Sequence, residues 1–249
     1  MPEGDTIYRT AAQLRKIVHS GRIDAAYSRD DRLPVASIEA QSIQRIETRG
    51  KHLLIHLESG AVLHSHMGMT GSWHLYRVGQ SWRKPRKLAD LTLTIDGWEM
   101  VCFTPATLDL LSADAFRRHV GLRRLGPDIL DERFDLGEAI RRLRRHDVAP
   151  LGAVIMNQTV ACGVGNVYKS ETLFLEHLDP FAPVRRFGDA ELEAMWRRAR
   201  QMMRRNLEGR PRRTRLGVDG ARAWVYGRAR QPCLKCHQTI RMRRQGEAA

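Results

Sequence analysis

Cysteine is scarce in this 249-residue chain, with only four residues. That is too few for a disulfide scaffold at such a length. Cys102 and Cys162 stand alone and read as buried thiols, whereas Cys233 and Cys236 form a Cys-x2-Cys pair. Acids are also in deficit: 28 Asp and Glu face 42 Lys and Arg, a formal net charge of +14. No apolar run approaches the ~20 residues that a membrane helix needs. The first residues carry acids where a secretory signal would carry a basic and then an apolar stretch. There is no internal repeat and no low-complexity tract. These absences argue against a disulfide-built module, a membrane protein and a disordered tail. The expectation is a cytoplasmic globular protein, and the 42% of hydrophobic residues is enough for two modest domains or one large one.

What is abundant is arginine, mainly in the second half: Arg117-Arg118, Arg123-Arg124, Arg141-Arg142, Arg144-Arg145, Arg197-Arg198, Arg204-Arg205 and Arg212-Arg213. Guanidinium forks match phosphate geometry, so a polyanion is the leading partner. A solvated basic surface is the alternative that charge alone leaves open.

The hydrophobic periodicity changes along the chain. Residues 5–18 place Ile7, Ala11, Leu14 and Val18 at helical spacing, with Asp5 or Thr6 as the expected cap. From about residue 22 to 103, short alternating runs broken by glycine read as antiparallel strands, and HLLIHLESGAVLHSH around Ser59-Gly60 reads as a hairpin. LGPDILD, residues 125–131, marks a domain boundary. Helical patterns follow. The last has Asp189 as its expected N-cap, an end at Gly209, and Leu192, Met195, Trp196, Ala199, Met202 and Met203 on one stripe.

Three stretches bear on chemistry. NQTVACGVGNVYKSE, residues 157–171, joins two helical patterns through Gly163 and Gly165, with Asn166 opening the second helix. Glycines there permit close backbone approach, and a helix start favours an anion. The loop joins helix to helix, so a dinucleotide fold is set aside. ETRGKHLL places Lys51 at a turn entering a strand. Cys233 and Cys236 resemble half of a tetrahedral zinc site built from four thiolates. A second pair would be expected some fifteen to twenty residues on, and thirteen residues follow Cys236.

Six motifs in order, MPEGDT, TRGKHL, SHMGMTGSW, LGPDIL, NQTVACGVGNVYKSE and WVYGR with PCLKC, span nearly the whole chain. Together they resemble the formamidopyrimidine-DNA glycosylase/endonuclease VIII family of base-excision repair enzymes, and more closely its endonuclease VIII-like branch. The resemblance implies an α+β fold: an N-terminal antiparallel β-sandwich flanked by helices (1–124), a linker (125–131), a helix-two-turns-helix DNA-binding domain (132–215) and an incomplete zinc-finger hairpin (216–249).

It also implies roles. Once Met1 is removed, the Pro2 amine is the nucleophile, Glu3 the acid/base group beside it, and Lys51 a contact to the lesion phosphates that supports strand cleavage. Asn166, with Gly163 and Gly165, forms a phosphate clamp. Met69 fills the gap left by an extruded base, although without the resemblance the residues read as an ordinary buried methionine. Cys233 and Cys236 are half of a Zn2+ site whose second pair is absent from the sequence. Three departures matter, one being that the absent half of the finger also removes the hairpin-tip arginine that the family inserts at the lesion. The second acid of many members is matched only by Asp5, shifted by one, and CFTPATLDLL replaces the RRFG-like loop of the 8-oxoguanine branch, which favours oxidised pyrimidines. The implied partner is damaged double-stranded DNA, bound by a monomer in the cytoplasm at the nucleoid. A protein that binds lesions or abasic sites without cutting them is the alternative.

Overall fold

A computed structural model describes residues 2–18, 21–208, 211–217 and 220–245. It divides into two compact units, Met1–Arg123 and Arg124–Ala249.

The first unit opens with helix α1 (Gly4–Arg15) and continues through strands β1 (Ala25–Ser28), β2 (Ile43–Arg49), β3 (His52–Leu57), β4 (Val62–His66), β5 (Ser72–Arg77), β6 (Ala89–Ile95), β7 (Trp98–Phe103) and β8 (Thr107–Leu111). Two four-stranded sheets result, ordered β1-β6-β7-β5 and β2-β3-β4-β8. All the strand pairs are antiparallel. Side chains alternate across a strand. Leu53, Ile55 and Leu57 of β3 therefore share one core with Leu91, Leu93 and Ile95 of β6 and with Met100 and Cys102 of β7. Ile7, Ala11 and Leu14 add the apolar stripe of α1 to that core. The β3–β4 hairpin turns at Gly60, whose φ of +81° suits glycine. Two short helices, α2 (Ala113–Arg118) and α3 (Val120–Arg124), follow β8.

The second unit contains α4 (Leu136–Arg144), α5 (Leu151–Val154), α6 (Asn166–Leu175) and α7 (Asp189–Arg204). The stripe expected on α7 is its buried face: Leu192, Met195, Trp196, Ala199, Met202 and Met203 are all at or below 3% exposure. Residues 125–131 are tied to the turn before α6: Gly126 N–H donates to Gln158 O (2.9 Å), Cys162 N–H to Pro127 O (3.0 Å) and Ile129 N–H to Cys162 O (3.1 Å).

Helix starts differ from expectation. α1 begins after Glu3 rather than Asp5 or Thr6, and no side chain supplies the cap bond. Asp5 instead lies buried inside the first turn, 3.7 Å from Arg9. The N-cap of α7 is Gly188, not Asp189. Its N–H is taken by the Glu191 carboxylate at 2.8 Å, so the reaching-back half of a capping box does the work. Gly209, expected to end that helix, lies outside the described residues, and the regular helix stops at Arg204.

The turn between β4 and β5 is closed by Gly71 N–H donating to Met67 O at 2.9 Å. A Cβ on Gly71 would sit 2.9 Å from Thr104 O and closer still to the Met67 carbonyl, both rigid backbone. Gly71→Ala is therefore expected to destabilise the chain by about 1–3 kcal/mol. Urea unfolding followed by tryptophan fluorescence checks this, and an unchanged midpoint would show that the turn yields.

Candidate functional site

In the first unit, the chain is fixed in place from Glu3 onward. Glu3 has extended backbone (φ −124°, ψ −179°), and its carbonyl accepts from Thr6 N–H (2.9 Å) and Ile7 N–H (3.2 Å). Its carboxyl side chain is wholly buried at the N-terminus of a 12-residue helix, where the dipole favours negative charge. Pro2, half-buried, immediately precedes it. α1 packs on β2 and β3. The Arg15 guanidinium secures its far end by donating to Ile46 O at 2.8 and 2.6 Å.

Lys51 occupies the β2–β3 turn, next to Gly50 (φ +58°), and is half-buried. Behind it the alternation of β3 and β4 places His52, His64 and His66 on one face, covered from α3's side by His119. The rings of His52 and His66 lie 4.8 Å apart, those of His52 and His64 5.1 Å, and those of His64 and His119 5.4 Å. His52 Nδ1 and His64 Nε2 share a hydrogen bond at 2.9 Å. Asp109 lies 3.7 Å from His64 Nδ1. This imidazole stack was missed from sequence. The signal was the alternation of histidine in HLLIH and LHSH, legible once those runs are taken as paired strands.

Met69 sits on the tip of the β4–β5 turn and is 70% exposed. The ordinary buried methionine is thus the wrong reading of it.

In the second unit, Gly163 has φ +113°, which a side chain would resist, and its N–H donates to Gln158 Oε1 at 2.9 Å. Gln158 also donates to Val164 O at 3.0 Å, so one amide closes the whole loop. Gly165 is the N-cap of α6, and exposed Asn166 is its first residue. The same unit holds a basic cavity of about 240 Å³ lined by Arg124, Arg142, Arg145, His146, Thr159 and Val160.

Cys233 and Cys236 form a tight knuckle. Cys233 N–H donates to Gln238 O (2.8 Å), His237 N–H to Cys233 O (3.0 Å), and Lys235 N–H points at Cys233 Sγ (3.4 Å). The backbone N–H groups of Cys236 and Lys235, with the Arg228 charge, hold the Cys233 thiol below its usual range. Cys233 is buried and Cys236 exposed. A closed structural zinc site needs four ligands. Among the described residues no group of three His, Cys, Asp or Glu is placed to hold a metal. The residues present do not fit a structural zinc ion.

The candidate residues therefore fall into two groups, Pro2, Glu3, Lys51 and Met69 in the first unit, and Gly163, Gly165, Asn166, Cys233 and Cys236 in the second.

Comparison with known proteins now gives the class. Residues 1–106 match the formamidopyrimidine-DNA glycosylase N-terminal domain, and residues 125–215 the formamidopyrimidine-DNA glycosylase H2TH domain. The probable endonuclease 8 2 of Streptomyces coelicolor is 32% identical, over 100% of this chain and 90% of its own. The DNA-(apurinic or apyrimidinic site) lyase Nei2 of Mycolicibacterium smegmatis is 33% identical, over 99% of this chain and 95% of its own. The crystal structure of the MutM (Fpg) protein of Thermus thermophilus superposes with a TM-score of 0.81 at 29% identity, over 99% of this chain and 95% of that one. The chain belongs to the formamidopyrimidine-DNA glycosylase family. No helix among the described residues is long and apolar enough to cross a membrane.

The imidazole stack makes stability pH-dependent. Burial, then the neighbouring His66, His64 and His119 and Lys51, pushes His52 down to about 3. Burial and His119 lead in pushing His64 down to about 4. Unfolded, both titrate near ~6.5. The unfolded chain thus binds more protons between those values. The stability these groups contribute is complete above pH ~6.5 and drains as the pH falls toward 4. Lowering the pH from about 7.5 to 5 is expected to cost about 2 kcal/mol for each of the two histidines in urea unfolding. The fall should be shallower in His64→Asn.

Proposed function

We propose that this chain is a bifunctional DNA glycosylase and abasic-site lyase acting on oxidised bases in double-stranded DNA, pyrimidines in preference to 8-oxoguanine. The observation that carries the reading is the start of α1. There a wholly buried carboxyl group adjoins a proline at the head of a chain with net charge +14.

The chemistry follows from the groups. After removal of Met1, which lies outside the described residues, Pro2 is a secondary amine. An α-amine titrates near ~8, so a useful fraction is unprotonated at neutral pH. Its lone pair attacks C1′ of the damaged nucleotide, and the bond from C1′ to the base breaks with its electron pair leaving on the base, which takes up the proton that the Pro2 nitrogen gives up. Glu3 protonates O4′ as the C1′–O4′ bond opens the sugar ring. The resulting iminium is cationic without an added proton and draws electron density from C2′. A C2′ proton is lost, a C1′–C2′ enamine forms, and the 3′ C–O bond breaks to release phosphate, which nicks the strand. Lys51 assists by holding the departing phosphate. Asn166 at the start of α6, with the Gly163–Gly165 turn, grips the backbone. Met69 fills the stack from which the base has left, which offsets an unstacking cost on the order of a few kcal/mol. The expected molecule is a cytoplasmic monomer.

Borohydride reduction of the iminium on an abasic duplex tests the mechanism. The mature chain should form a covalent adduct, and Pro2→Gly combined with Glu3→Gln should form none while still binding the duplex. Lys51→Gln should lower strand cleavage by about tenfold or more, the cost of one charge-assisted phosphate contact. Robust cleavage by a chain retaining Met1 would overturn the proposal.

A further inference from the structure

Glu171, on α6, has no solvent exposure. A carboxylate so placed must be fully hydrogen-bonded, and four donors reach its two oxygens. Oε2 accepts from Trp224 N–H at 2.7 Å and from the Thr214 hydroxyl; Oε1 accepts from Val225 N–H and Tyr226 N–H, both at 2.8 Å. Three successive backbone N–H groups curled around an anion form a nest, and here the anion is the chain's own. Glutamine could not replace it in kind, because an amide offers one acceptor oxygen and would turn its NH2 toward a backbone donor.

The residues gathered by this carboxylate bear the basic charge of the segment. Thr214 and Arg215 N–H groups both donate to Arg222 O, at 2.9 and 3.2 Å. The Asn206 amide brackets Arg213, donating to its carbonyl and accepting from its N–H at 2.7 Å each. The Arg212 guanidinium lies 5.3 Å from the Tyr168 ring on the same α6, and Arg215 lies 5.1 Å from Trp224. Arg213 and Arg222 therefore have fixed backbones and exposed side chains. Asn166, also exposed, opens α6 five residues before Glu171, about 7–8 Å along the axis.

We propose that Glu171 is a positioning residue. It fixes residues 211–217 and 220–226 against α6, so that Arg213 and Arg222 extend the phosphate-binding surface begun at Asn166. The ligand is the sugar–phosphate backbone of DNA, and the inference rests on the functional reading above.

The salt dependence of binding to an undamaged duplex, measured by fluorescence anisotropy on the full chain, separates positioning from chemistry. Each phosphate contact adds about 0.9 to the slope of log K against log salt. Arg213→Gln with Arg222→Gln should lower that slope by about 2, and replacement of both by Lys should preserve it. Glu171→Gln alone should lower it equally, and adding the two glutamine changes to Glu171→Gln should lower it no further. On an abasic duplex KM should rise while kcat at saturation holds. If Glu171→Gln does not fold, Thr214→Val, which removes one donor of the four, should shift the slope in the same direction by less. A folded Glu171→Gln chain with the parental slope, an additive loss in the triple variant, or a kcat that falls only with the folded fraction overturns the inference. The borohydride adduct of the parent chain decides the functional reading separately. No adduct with the slope effects intact would sink the enzymatic reading alone, and an adduct with no slope effect would sink this inference alone.

Discussion

The organisation of the first unit depends on burying the Glu3 side chain at the first turn of α1. A carboxyl group without solvent exposure carries a large desolvation cost, which the dipole of α1 offsets in part. Once that position is set, the chain from Glu3 onward does not fray as chain ends commonly do. The apolar stripe of α1, continuous with the sandwich core, and the Arg15 bonds to Ile46 O keep the helix itself from shifting. These contacts fix the backbone from Glu3 onward, directly after Pro2.

How much of this was legible in the sequence depends on the range of the interaction. The β3–β4 hairpin and the buried stripe of α7 follow from period-two and period-3.6 patterns within a dozen or so residues, and both patterns are found in the structure. Caps were less legible. Asp5 and Asp189 had the right chemistry, yet α1 starts at a position whose side chain is buried, and α7 is capped by a glycine that borrows the Glu191 carboxylate. The imidazole stack required the register of three strands, and the nest around Glu171 joins groups 43 to 55 positions apart. Neither leaves a local pattern. Met69 was ambiguous because composition does not tell whether a methionine in a glycine turn faces the core or the solvent; here it faces the solvent.

The arginine excess is not accounted for by the fold. The Arg117–Asp114, Arg141–Glu138 and Arg197–Glu193 pairs lie on exposed helix surfaces, with each arginine about 70% exposed. Such pairs contribute about 0–1 kcal/mol each. Others, such as Arg144 with Phe187 O and Asp189, and Arg200 with Ile129 O, do bind helices to loops. The surplus that remains raises the potential over the surface and favours encounter with a polyanion.

The four thiols differ sharply in accessibility, and this gives the protein a simple handle for labelling. Cys102 and Cys162 have no exposed surface, and burial pushes the Cys102 thiol far above its ordinary range. Cys233 is nearly covered as well, which leaves Cys236 open to solvent. A maleimide dye applied under native conditions would therefore attach at one address, in the knuckle ten residues beyond the last backbone N–H that Glu171 accepts from.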